Sequence, residues 1–101
     1  MPYFVVHTLD APGKAEARAA NRPAHRARLR QHDHPVSVRI GGPLLDGTGE
    51  MCGTMLVIEA SVCADVETYL AGDPYALAGI YKQVSIHGYN WGLGQPEMQD
   101  G

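Results

Sequence analysis

Cysteine is scarce in this chain: Cys52 and Cys63 are the only two among 101 residues. They form no CxxC pair and are too few for a disulfide framework, so two reduced thiols are expected. The short signatures of metal and nucleophile chemistry are also missing. There is no HExxH, and no GxSxG elbow to hold a reactive serine. His7, His32, His34 and His87 are scattered, and the spacing of His32 and His34 does not place them on one helix face. No metal and no cofactor are expected. No apolar run approaches the ~20 residues that span a bilayer, so no membrane partner is expected. Nor is there an excess of positive charge. Eight Lys and Arg face eleven Asp and Glu, giving a formal net charge of −3 and a pI of about 5.9. That balance argues against nucleic acid as a partner. The opening Met1-Pro2-Tyr3-Phe4-Val5-Val6-His7 has neither a basic leader nor a small-residue cleavage site. It reads as a first strand, and the cytoplasm is the expected compartment.

What is present is a globular balance, 45% hydrophobic and 19% charged, in a length that fits one domain. Tyr3 to Thr8 is aromatic and β-branched and predicts a strand, which Asp10-Ala11-Pro12-Gly13 breaks. Lys14 to Ala20 is alanine-rich and predicts a short helix. Pro23 suits a first helical position better than an interior one. Asn21 and Arg22 therefore predict a kink or restart, with a second helical stretch from Pro23 to Gln31. Val36 to Ile40 alternates as a half-buried strand does, and Gly41-Gly42-Pro43 predicts a turn. Gly53 to Ala60 predicts a central strand, and Ser61 an N-cap for a helix from Val62 to Leu70. Gly72 ends that helix. Asp73 caps a short one opened by Pro74 and closed by Gly79. Tyr81 to Tyr89 predicts the last strand, with Val84 and Ile86 on one face and Ser85, His87 and Tyr89 on the other.

The order is β-α-β-β-α-β, the ferredoxin-like split βαβ plan of the α+β class. It implies a four-stranded antiparallel sheet with helices on one face. The other face is left uncovered, and a homodimer is its simplest cover, one that would also supplement a modest core. Residues 1–91 are expected to form the domain and residues 92–101 a loose tail.

The candidate site is a pair. His25 lies on the early helix and Asp73 in the later turn, and an imidazole beside a carboxylate is the smallest kit for moving a proton near neutral pH. The plainer interpretation is that Asp73 only caps its helix and His25 only packs. Arg22, three residues before His25, suits a substrate carboxylate or phenolate, although Arg22, Arg26 and Arg30 also make the stripe of a solvated helix face. Ser85 and Tyr75 are candidate hydrogen-bond donors to a substrate, with sheet hydroxyl and packed aromatic as their ordinary roles. Gly41 and Gly42 could present backbone N–H groups to an anion, or simply turn the chain. Trp91 and Tyr89 suit interface or core packing.

Several stretches together resemble the YciI-like (YCII-related) family, from Tyr3 to about Tyr89. They are Arg22-Pro23-Ala24-His25 with Leu29, Gly41-Gly42-Pro43, Gly53-Thr54, Asp73-Pro74-Tyr75 with Gly79-Ile80-Tyr81, and Val84-Ser85-Ile86. The resemblance implies a dimeric α+β barrel and a His–Asp pair at His25 and Asp73. Some members act as dehydrochlorinases on chlorinated hydroxyquinol rings. The stretch from Leu44 to Cys52 matches least and is expected to shape the pocket mouth. Two functional classes follow. One is a cofactor-independent lyase or isomerase using His25 as base and Asp73 as its orienter on a small cyclic or aromatic molecule. The other is a non-catalytic dimeric module that binds a small molecule or a protein.

Overall fold

A computed structural model describes residues 2–95. The β-branched and aromatic opening forms β1 (Tyr3–Asp10), and the alanine-rich segment forms α1 (Ala15–Leu29). Then come β2 (Ser37–Leu45), β3 (Met51–Glu59), α2 (Cys63–Ala71), α3 (Pro74–Leu77) and β4 (Tyr81–Tyr89). The strands make one antiparallel sheet in the order β2-β3-β1-β4, so the split βαβ arrangement holds. Register sets which side chains share a face. Val6 lies opposite Leu56 and Ile86, and Thr8 opposite Thr54 and Val84. Val6, Leu56 and Ile58 pack with Val66, Tyr69 and Leu70 of α2 to form the core, and Leu29 of α1 packs against it.

Alternation turns His7, Ser85, His87 and Tyr89 to the other face. There Ile40 and Tyr89 are 43% and 40% exposed. Among the described residues, no helix is long and apolar enough to cross a membrane.

Three local expectations are corrected. The early helix has no restart: α1 is one helix with Pro23 inside it. Pro23 and Ala19 are both exposed, so the Ala19 carbonyl that loses a helical partner faces solvent, where the loss is least costly. Gly41-Gly42-Pro43 is not a turn but the middle of β2. That strand is a sheet edge, where a proline can sit without breaking a ladder on both sides. Gly41 lies against Leu56, and a Cβ there would come within 2.5 Å of its Cδ2 atom. Finally, the N-cap of α2 is Val62, one residue after Ser61, in an extended conformation. Most of the expected tail, residues 96–101, lies outside the described residues.

Gly53 is the tightest backbone approach. An added Cβ would lie 2.1 Å from the Thr8 carbonyl oxygen, with no flexible side chain to yield. Gly53→Ala is expected to destabilise the fold by roughly 2 kcal/mol or more, since overpacking commonly costs 1–3 kcal/mol. Thermal denaturation followed by circular dichroism should show a loss on the order of 10 °C.

Candidate functional site

Gly72 ends α2, and the chain turns through an extended Asp73 into a helix of four residues. The Asp73 carbonyl accepts the first helical bond, from Leu77 N–H at 2.9 Å, and its side chain accepts from Tyr75 N–H at 3.1 Å. Pro74 occupies the first helical position, where its missing N–H is of no consequence. Gly79, at φ +70°, releases the chain into β4. This compact turn holds the Asp73 carboxylate inward, 2% exposed.

Three groups donate to that carboxylate. Tyr75 N–H bonds Oδ1, and the Tyr81 hydroxyl bonds Oδ2 at 2.7 Å. The third is His25, whose Nδ1 stands 2.7 Å from Oδ1. Burial works against the ionised carboxylate. The bond and charge of His25, followed by the bonds from Tyr81 and Tyr75, outweigh it and hold Asp73 below the ordinary carboxylate range. An ionised Asp73 only accepts hydrogen bonds, so Nδ1 of His25 carries a proton and the lone pair of the neutral ring sits on Nε2. Burial and the nearby Asp73 charge push the Tyr81 phenol far up, which keeps it a donor.

His25 is 5% exposed and stacks on Tyr75, with ring centroids 3.8 Å apart and planes 5° from parallel. The Arg18 guanidinium lies 4.8 Å from the centroid of the same Tyr75 ring. Arg18 is itself buried. Its Nε donates to Asp10 Oδ2 at 2.5 Å, and its Nη2 donates to the Gly53 carbonyl at 2.7 Å and to Thr54 Oγ1 at 2.9 Å. Burial opposes its charge, but the bond to Asp10 and that residue's charge prevail and raise its pKa. Burial also raises the Tyr75 phenol, against the pull of Arg18 and Arg22.

These groups border a cavity of about 290 Å³. Its walls are Arg18, Arg22, His25, Arg26 and Leu29 of α1, Arg30 just after it, Gly41, Gly42 and Pro43 of β2, Met51 and Thr54 of β3, and Tyr75 of α3. A second cavity of about 230 Å³ adjoins it, with Arg18, Arg22, Met51 and Tyr75 in both walls. Gly49 and Glu50 border the second cavity. They lie in the loop between β2 and β3, where Asp46 accepts from Thr48 N–H, Thr48 Oγ1 and Glu50 N–H. The stretch expected at the pocket mouth, Leu44 to Cys52, thus borders both cavities, the first through Met51 and the second through Gly49, Glu50 and Met51. Among the described residues, no three His, Cys, Asp or Glu side chains are grouped to hold a metal.

Of the residues singled out in the sequence, the structure brings His25, Asp73 and Tyr75 into contact. It puts Arg22 and Gly42 in the cavity wall. It does not bring Ser85 there. Ser85 pairs with His7 and is exposed on the opposite sheet face, so its expected substrate contact is corrected. Sequence reasoning missed Arg18, Asp10 and the hydroxyl of Tyr81. Arg18 had a signal: Arg18, Arg22, His25 and Leu29 recur at spacings of four, three and four, which is one face of a helix.

The profile of the YCII-related domain matches residues 1–90. The chain belongs to this family. The YciI proteins of Escherichia coli O6:H1 and of Shigella flexneri are each 30% identical to it over 89 residues, taking in 82% of this chain and 91% of theirs. Among solved structures, this YCII-related chain is similar to 5-chloro-2-hydroxyhydroquinone dehydrochlorinase from Burkholderia phenoliruptrix AC1100, determined with 2,5-dihydroxybenzoquinone. The TM-score is 0.77 with 29% identity, over 87% of this chain and 93% of that one. A Pseudomonas aeruginosa protein, PA3566, shares the fold alone, with a TM-score of 0.52 and 16% identity over 87% of this chain and 91% of that one.

The depressed Asp73 couples folding to acid. A carboxylate whose folded pKa lies below its unfolded value contributes stability above that unfolded value and loses it as the pH falls through the folded one. Asp73→Asn is expected to cost about 2 kcal/mol at pH 7, the scale of hydrogen bonds to a charged group. The gap between wild type and variant should close as the pH drops below ~4. Urea denaturation at pH 7, 5 and 3 checks this, and a gap independent of pH would refute it.

Proposed function

We propose that this YCII-related protein is a cofactor-independent lyase or isomerase that moves a proton on a small hydroxylated cyclic or aromatic molecule. The observation that carries this reading is the His25 imidazole, fixed at Nδ1 by a buried ionised Asp73, in the wall of a cavity of about 290 Å³. Volumes near that size suit small ligands. The similarity to a dehydrochlorinase determined with a dihydroxybenzoquinone supports the same substrate class.

In this reading Nε2 of neutral His25 takes the proton of a ring hydroxyl. The imidazolium is stabilised by Asp73 on one side and by the Tyr75 ring beneath it. The electron pair left on the ring oxygen feeds into the ring. There it either makes a ring carbon basic enough to be protonated or, where a tetrahedral ring carbon conjugated with the oxygen bears a leaving group, expels that group with its electron pair. The imidazolium returns its proton to that leaving group or carbon, so the enzyme ends as it began. Arg22 lines the cavity and would hold an anionic oxygen in place.

We also assign a homodimer through the sheet face opposite the helices, where Ile40 and Tyr89 are exposed. The cytoplasm remains the proposed compartment, in keeping with two free thiols.

The test is a turnover screen of hydroxylated aromatic, lactone and 2-oxo compounds, with circular dichroism as the folding control. His25→Ala is expected to lower turnover by 10²–10⁴-fold, the scale of general base catalysis, and Asp73→Asn by less. Wild-type turnover by a folded His25→Ala variant would refute the assignment. If no compound turns over but small molecules bind, the binding-module reading gains.

Light scattering at micromolar concentration should return twice the monomer mass. A monomer there would remove the assembly.

A further inference from the structure

The arginines of α1, and Arg30 just after it, do not share one environment. Arg18 is neutralised by Asp10. Arg28 donates to the Tyr69 carbonyl and lies over the Tyr69 ring, and Arg30 donates to the Arg26 carbonyl. Among the described residues, the Arg22 side chain makes one hydrogen bond, to the Met51 sulfur at 3.8 Å, and the Arg26 side chain makes no hydrogen bond or ion pair. Both line the His25 cavity. They stand four residues apart, on successive turns of one helix face. The oxygens of Asp73, the acid bonded to His25, are taken by His25, Tyr75 and Tyr81. In a chain of net charge −3, this cavity wall therefore carries three exposed cations with no acidic partner among the described residues, Arg22, Arg26 and Arg30, of which Arg30 is already held by a backbone carbonyl.

We infer that the ligand of this cavity is a cyclic acid whose carboxylate binds Arg22 and Arg26 while its ring lies at His25. The inference rests on the His25 cavity being the ligand site, as proposed above, and narrows its substrate class. Arg22 and Arg26 are exposed at this wall, and a neutral molecule seated against them would displace part of their water without supplying a counter-charge. A ring hydroxyl does not supply the charge, because a phenol with an ordinary pKa near ~10 is protonated at neutral pH. A carboxylate is ionised there, and its two oxygens match the planar fork of arginine.

The experiment is calorimetric titration of the intact protein at pH 7.5, in low-salt buffer free of phosphate. The probes are phenol, the three hydroxybenzoate isomers and phenyl phosphate. At least one hydroxybenzoate should bind tenfold or more tighter than phenol, a difference that shrinks as salt is raised. Arg22→Gln and Arg26→Gln should each weaken that isomer at least fivefold and leave phenol unchanged. His25→Ala should keep the preference for the acid. Equal binding of phenol and every isomer, binding of neither, or variants that bind like wild type would each overturn the inference. Phenyl phosphate binding tenfold tighter than any hydroxybenzoate would overturn the carboxylate in favour of a phosphate. The readout is affinity, not turnover. Arginine-dependent acid binding with no His25-dependent reaction would leave this inference standing and the proposed catalysis refuted. Catalysis on an uncharged ring would do the reverse.

Discussion

A buried carboxylate holds this site together. Asp73 has almost no contact with solvent, so its charge is tolerable only while donors surround it. Each donor comes from a different element: His25 from α1, the Tyr75 N–H from α3, and the Tyr81 hydroxyl from β4. Moving any of these elements would strand a charge in the interior. The requirement therefore locks helix to turn and turn to sheet, in a way that an apolar core of this modest size does not. A second buried charge is managed alike. Arg18 joins α1 to Asp10 of β1 and to Gly53 and Thr54 of β3. The ring of Tyr75 touches both systems, through the His25 stack and the Arg18 guanidinium.

Much of the fold was legible because its signals were local. Alternation marked the strands. Gly72, Asp73, Pro74 and Gly79 marked the beginning and end of the short helix, each through its own backbone preference. Where the sequence misled, the deciding fact was tertiary. Pro23 argues for a break until one knows that the carbonyl it orphans lies at the surface. Gly41-Gly42-Pro43 argues for a turn until one knows that β2 is an edge strand and that Gly41 must clear Leu56.

The site was legible unevenly, for similar reasons. Spacing alone left His25 and Asp73 undecided between proton chemistry and packing, and only the family resemblance paired them. Ser85 was misjudged although the alternation already excluded it. Val84 and Ile86 face the helices, so the residue between them faces away. Arg18 was hidden by expectation, since an arginine among alanines is ordinarily solvated. Its burial depends on Asp10, which looked like no more than the end of a strand.

Pro23 has a mechanical consequence. It sits between Arg18, which fastens the first half of α1 to the sheet, and His25, which fastens the second half to the α3 turn. The single helical bond missing between them makes this the softest point of the rod, with a firm anchor on either side. Bending there changes the angle between the two anchors without breaking either. Since Tyr75 touches both Arg18 and His25, such a flexure is felt first as a change in the width of the slot that holds its ring.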